Sequence, residues 1–214
     1  MATSVSTTPD VGLPAARVEA FEYLYESGCF TDLTITCRGR EWKAHKTCIL
    51  TLGHFFKAAL THDFKEAQES RIDLTDDEPD LADGLIRYCY LFKYPEPPEN
   101  SACTPMVRDV RISVIADKYA IDSLRRVALQ ALQERAATGW ATQDFADAAS
   151  EIYALQLKGN HDFRIIVFKT VMAHPDLLCG KGTTGVFRRM LQERDELAAD
   201  LCYTLSSGLR KQES

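Results

Sequence analysis

Apolar residues recur along this chain with two different periods, and the places where the period changes mark out its elements. From Arg17 to Ser27, Val18, Phe21, Leu24 and Tyr25 fall at helical spacing, and Gly28 follows where helices commonly end, so the pattern predicts a short amphipathic helix. Asp32 to Cys37 then alternates, with Leu33, Ile35 and Cys37 on one side and Thr34 and Thr36 on the other, which predicts a half-buried strand. Arg38-Gly39-Arg40 is a turn signal, and Glu41 to Ala44 supplies a second short strand to complete a hairpin. Helical spacing resumes at His45 through Cys48, Ile49, Leu52, Phe55, Phe56, Ala59 and Leu60, and the interruption at Gly53 predicts two short helices instead of one. Arg71 to Leu74 alternates again as a third strand. Thr75 to Asp80 combines capping residues, acids and a proline, the signature of a helix start, and Leu81, Leu85, Ile86, Cys89, Tyr90 and Phe92 line the helix that follows.

Four prolines, Pro95, Pro97, Pro98 and Pro105, crowd residues 95–105, so this stretch is expected to be a loop. Beyond it the period is helical almost throughout. Ile112 to Tyr119, Leu124 to Leu132, Phe145 to Tyr153, Phe163 to Met172, Thr184 to Leu191 and Leu197 to Leu205 each read as helices, giving an all-α region over 106–208. Residues 1–16 carry too little apolar content to repay their ordering entropy and are expected to be a disordered tail.

Hydrophobic and charged contents of 45% and 26% fit an ordinary folded protein. The N-terminus has no signal-peptide pattern and no stretch approaches the length of a membrane span, so an intracellular protein, cytoplasmic or nuclear, is expected. The seven cysteines are odd in number, scattered and set mostly in apolar runs, which suggests reduced, buried thiols. The net charge of −6 is uneven: through Pro105 there are 10 Lys+Arg against 17 Asp+Glu, and the acid concentrates between Asp63 and Asp83. That distribution argues against a nucleic-acid face, which needs clustered cations. A solvated acidic surface and a contact for a basic partner both remain open.

The common catalytic and metal-binding signatures are missing from the sequence, and no enzyme activity and no cofactor are expected. His45 and Cys48 lie one helical turn apart but lack the further ligands a metal site needs. A nucleophile and base drawn from Cys48, His54 and His62 would have to meet in space, and packing thiols and histidines are the plainer reading. Gly180 to Thr184 has the composition of a phosphate loop without a preceding strand or glycine, and reads as an inter-helix loop.

The order helix, hairpin, two short helices, strand and capped helix coincides with Phe30-Thr-Asp32-Leu-Thr-Ile, Ala44-His45-Lys46-Thr-Cys-Ile-Leu50 and Phe55-Phe56-Lys57. These strings resemble the BTB/POZ family. Phe64-Lys65-Glu66-Ala67, Ile72-Asp73-Leu74, Asp77-Glu78-Pro79 and Leu85 to Tyr90 are similar to the family's middle helix, third strand and following helix, in order. The family usually has serine before its aromatic pair, where this chain has Gly53-His54. Ile115 to Leu124 resembles the helices that follow the core in fungal-type members. The resemblance implies an α+β fold: a small three-stranded sheet capped by helices, with the core and its N-terminal helix over 17–94, then an all-α bundle that is BACK-like at its start.

The family resemblance also implies roles for particular residues. Asp32 and Lys46 match a charged pocket used for stability, dimerisation or co-repressor contact, and as a strand-starting acid and a helix-starting base they are expected to pair. Phe64 and Glu66 resemble the hydrophobic-x-Glu motif through which BTB adaptors engage cullin-3, although Phe64 could equally cap the core. Val18, Phe21 and Leu24 lie where many members place a dimer-forming helix, with packing on the chain's own domain as the other reading. The functions implied are a protein-interaction adaptor to a cullin-3 type ubiquitin ligase or, alternatively, a homo-oligomerising scaffold or transcriptional co-regulator. Its partners would be proteins, with neither nucleic acid nor membrane among them.

Overall fold

The computed structural model describes residues 15–50, 53–62, 64–97, 103–154, 161–179 and 185–193, together with 195, 198–199 and 202–203. Three expectations lie wholly or mainly outside these residues: the N-terminal tail, the Gly180 to Thr184 loop and the helix over 197–205.

The first helix, α1, runs Ala15–Ser27, so it takes in Ala15 and Ala16, the last two residues assigned to the tail, and Gly28 closes it in the left-handed region at φ +61°. Strands β1 (Leu33–Cys37) and β2 (Arg40–Ala44) pair antiparallel, with Leu33 opposite Ala44 and Cys37 opposite Arg40. Arg40 thus opens β2 instead of completing the turn. The two remaining turn residues, Arg38 and Gly39, both have positive φ, 44° and 84°, and this mirror-image geometry matches the twist of the flanking strands.

Two short helices follow, α2 (Lys46–Leu50) and α3 (His54–Thr61), broken where Gly53 was expected to break them. Gly53 is the extended N-cap of α3, and a Cβ there would lie 3.1 Å from both the Tyr119 carbonyl oxygen and Ile121 Cγ1. Glycine at this position therefore lets α3 sit close against a corner of the later helices. Helix α4 (Lys65–Glu69) ends on Ser70 in the left-handed region, and β3 (Arg71–Asp73) joins the other edge of β1, parallel to it, with Ile35 opposite Ile72. A parallel pair needs a crossover, which α2, α3 and α4 supply. The sheet order is β2-β1-β3.

Helix α5 (Pro79–Leu91) starts with Pro79 in its first turn, where the missing N–H costs nothing. Pro105 likewise opens α6 (Pro105–Lys118), so the proline-rich loop ends one residue earlier than composition suggested. Helices α7 (Asp122–Gly139), α8 (Gln143–Ala154), α9 (His161–Ala173) and α11 (Gly185–Glu193) correspond to predicted helices, and the single turn α10 (Asp176–Cys179) was not foreseen.

The buried apolar residues form two clusters. The first gathers Leu33, Ile35, Ile49, Phe56, Ile72, Leu85 and their neighbours around the sheet. The second fills the bundle with Leu132, Phe145, Ile152, Val167 and Phe187 among others. Helices α6 and α7 serve both. The C-terminal half of α6 (Ile112, Ile115, Ala116) and the N-terminal half of α7 (Leu124, Ala128) complete the sheet cluster, while Val110, Leu132 and Ala136 belong to the bundle. The two helices meet at a tight corner, where the Ile121 N–H donates to the Ala116 carbonyl at 2.8 Å and Ala120 takes φ +54°.

Candidate functional site

On α3 the aromatic pair splits across the surface. Phe56 is fully buried and stacks on Tyr119 with ring centroids 5.3 Å apart, while Phe55 is 44% exposed and meets Tyr119 edge-on at 4.9 Å. The chain then leaves the helix extended at His62 and reaches Phe64, the N-cap of α4, which is 53% exposed. The Phe64 ring packs edge-on against His62 at 6.0 Å and has no place in the sheet cluster. Glu66, in the first turn of α4, is half-buried, and among the described residues its carboxylate has no hydrogen bond or ion pair. An exposed aromatic anchor and an uncommitted carboxylate therefore stand two residues apart on one edge, held by a buried Phe56 that fixes α3 beneath them.

The expected Asp32/Lys46 pair forms through different atoms. Asp32 Oδ1 accepts the backbone N–H of Lys46 at 2.7 Å and so caps α2, while the Lys46 ammonium donates to Ser70 Oγ at 2.6 Å. The two residues bracket the hairpin, and Lys46 ties the start of the crossover to the residue before β3, but the ammonium and carboxylate do not bond one another. Asp32→Ala is accordingly expected to cost about 1 kcal/mol in unfolding free energy, the usual worth of a cap, and Asp32→Asn a fraction of that. Equal losses in urea unfolding for both variants would show that charge, not capping, holds this corner.

Of the three α1 residues, Phe21 and Leu24 pack against the sheet cluster, and Val18 is half-buried. The contact is reinforced by Asp83 on α5, a residue that sequence reading passed over. One oxygen of Asp83 accepts from Tyr25 Oη at 3.0 Å, Trp42 Nε1 at 2.8 Å and Arg40 at 3.1 Å, tying α1 and β2 to α5. Burial, with the Asp83 charge beside it, pushes the Tyr25 phenol up to about 12. The one available signal was Trp42 on the inward side of its strand, since a buried indole N–H needs an acceptor.

Asp83 is not alone in its segment. Asp77 accepts from Lys118 at 2.8 Å and from the Tyr119 hydroxyl; Asp80 lies 3.5 Å from Arg40, Glu78 lies 3.5 Å from Arg111, and Asp73 closes a turn on Thr75. Much of the acidic run is thus committed to internal partners.

His45 is buried, with Nε2 2.7 Å from the Cys29 carbonyl and Nδ1 2.8 Å from Tyr90 Oη, which also accepts the His45 backbone N–H. Both ring nitrogens are occupied. Burial raises the Cys48 thiol above its ordinary value and Cys89 to about 12, which disfavours the thiolate a nucleophile requires. His54 and His62 are exposed on α3 and just beyond it. Among the described residues no three His, Cys, Asp or Glu gather as metal ligands, and no helix is long and apolar enough to cross a membrane.

Comparison with known families matches residues 21–136 to the BTB/POZ domain. Among curated proteins, Kelch-like protein 23 of Mus musculus is 34% identical over 82 residues, which is 38% of this chain. The chain spans 15% of that relative's length.

Proposed function

As this chain belongs to the BTB/POZ family, a family of protein-interaction modules, we propose that it is an intracellular adaptor whose α3–α4 edge docks a cullin-3 type ligase scaffold, leaving the helical bundle to contact a second protein. The observation that carries this reading is an exposed Phe64 and the uncommitted carboxylate of Glu66 side by side at the start of α4. Interfaces concentrate their energy in a few such anchors: an aromatic ring that fills a pocket and a charge that aligns with a basic rim. The internal commitment of Asp77, Asp80 and Asp83 leaves this edge, not the acidic run, as the better-equipped surface.

Self-association through α1 is less well supported, because Phe21 and Leu24 are already packed on the chain's own core. The test is direct binding of purified cullin-3 N-terminal domain to the wild-type chain and to Phe64→Ala and Glu66→Ala. Saturable binding by the wild type and a loss of about tenfold or more for Phe64→Ala are expected, with a smaller loss for Glu66→Ala. Absence of wild-type binding, or indifference to both substitutions, would remove the cullin reading.

A further inference from the structure

Helix α3 is seated on a residue from a later part of the chain. Tyr119, the C-cap of α6, is buried, and its ring meets both aromatics of α3, stacked on Phe56 and edge-on to Phe55. Its carbonyl oxygen lies 3.1 Å from where a Cβ on Gly53, the N-cap of α3, would stand. The Tyr119 hydroxyl in turn donates to Asp77 Oδ2. Burial, with that hydrogen bond, pushes the phenol above its ordinary value, so the proton stays on Tyr119 and fixes it as the donor.

Asp77 is fastened to the sheet by its backbone. It lies between β3 and α5, where its N–H donates to the Leu74 carbonyl at 2.9 Å and its own carbonyl accepts from Cys37 Sγ, at the end of β1, at 3.3 Å. Its side chain is only 11% exposed and also accepts from Lys118 Nζ at 2.8 and 2.9 Å. A continuous set of contacts therefore runs from the end of β1 through Asp77 and Tyr119 to α3. We propose that Asp77 is a positioning residue for the α3–α4 edge: acting through Tyr119, it holds α3 in the orientation that carries Phe64 and Glu66 to a partner. This inference rests on the reading of that edge as a docking surface. Tyr119 is too buried to touch a partner, so removing its hydroxyl takes away no interface contact. The loss acts by letting α3 leave the competent arrangement, and affinity falls with the fraction of molecules that retain it.

The test compares Asp77→Ala, Asp77→Asn and Tyr119→Phe with Asp83→Ala, which removes a carboxylate that likewise gathers three donors but ties α1 and β2 to α5. In hydrogen exchange on the full chain, well below its melting temperature, the α3 amides from Phe56 to Thr61 should exchange about fivefold faster in Asp77→Ala and Tyr119→Phe, with those of β1 unchanged. Asp77→Asn keeps an acceptor for Tyr119 and should stay within about twofold of the wild type. Asp83→Ala should lower the melting temperature without singling out α3. Binding of the purified cullin-3 N-terminal domain should weaken about fivefold in Asp77→Ala and Tyr119→Phe and change less than about twofold in the other two variants. Should Asp77→Ala fail to fold, Tyr119→Phe, which keeps the ring stack, decides the same comparison. The proposal is overturned if Asp77→Ala or Tyr119→Phe accelerates all elements alike, or if the wild type binds and neither variant weakens that binding. If the wild type does not bind the cullin domain, the cullin reading falls alone, and selective exchange in α3 decides whether Asp77 positions that helix.

Discussion

Phe56→Ala should lower the unfolding free energy by about 3–5 kcal/mol, while Phe55→Ala, one residue earlier, should lower it by only about 1 kcal/mol. Phe56 has no exposed surface and sits where α3 meets the α6–α7 corner, stacked on Tyr119 and close to Gly53. Deleting its ring removes both transfer free energy and packing, and the site cannot readily collapse, because Tyr119 is itself anchored by its hydroxyl to Asp77. Phe55 keeps nearly half its surface in water and loses mainly its edge-on contacts. Against a typical total of about 5–15 kcal/mol, the Phe56 change leaves a marginal domain. It should also weaken partner binding at Phe64 indirectly, whereas Phe55→Ala leaves the fold available for a clean binding measurement. Urea unfolding of the two variants decides the matter, and equal losses would mean that α3 is not phased as described.

That contrast also shows where sequence reading stops. Helical periodicity placed both phenylalanines on α3, but a pair of adjacent aromatics spans about 100° of helix, and only packing against Tyr119, 63 residues on, selects which one turns inward. Local patterns were legible where neighbours along the chain decide the outcome. The alternation of Leu33, Ile35 and Cys37, the hairpin turn at Gly39 and the break at Gly53 all follow from backbone chemistry within a few residues. The parallel pairing of β1 with β3 was not legible, since alternation carries no strand direction. Nor was the sharing of α6 and α7 between two cores, because buried positions on several sides blur a single-face period. At the candidate site, Phe64 and Glu66 were singled out by family resemblance alone, as exposure leaves no mark on a three-residue string. Asp32 and Lys46 do meet, but through other atoms than expected, since a carboxylate that the hairpin carries to the start of a helix accepts its free amides as readily as it pairs with a cation.

Stability should increase on mild acidification, and Asp109 is the reason. This carboxylate is fully buried on α6, near where that helix passes from one core to the other. Tyr94 Oη donates to it at 2.8 Å, and Arg135 Nε lies 3.0 Å from its other oxygen without the alignment of a hydrogen bond. Loss of hydration outweighs both neighbours and pushes the carboxyl up from an ordinary 3.8 to about 6. Arg135 is better served because Glu96 also pairs with it, so the same contact that leaves Asp109 poorly compensated keeps the guanidinium charged. A group whose pKa is higher in the fold than in the unfolded chain binds its proton more tightly when folded, so its charge weakens the fold above that pKa and the penalty is relieved as pH falls through about 6. Between about pH 7.5 and 4.5 the relief amounts to about 2 kcal/mol. Carboxylates such as Asp73, held below the ordinary range by hydrogen bonds from Thr75, act in the opposite sense, so the residue-specific measure is the difference between wild type and Asp109→Asn. In urea unfolding that difference should move by about 2 kcal/mol in favour of the wild type as the pH is lowered across the window. A difference that stays flat, or moves the other way, would show that Arg135 and Tyr94 compensate the buried charge in full. The polar layer between the two cores would then hold them together at neutral pH as firmly as in acid.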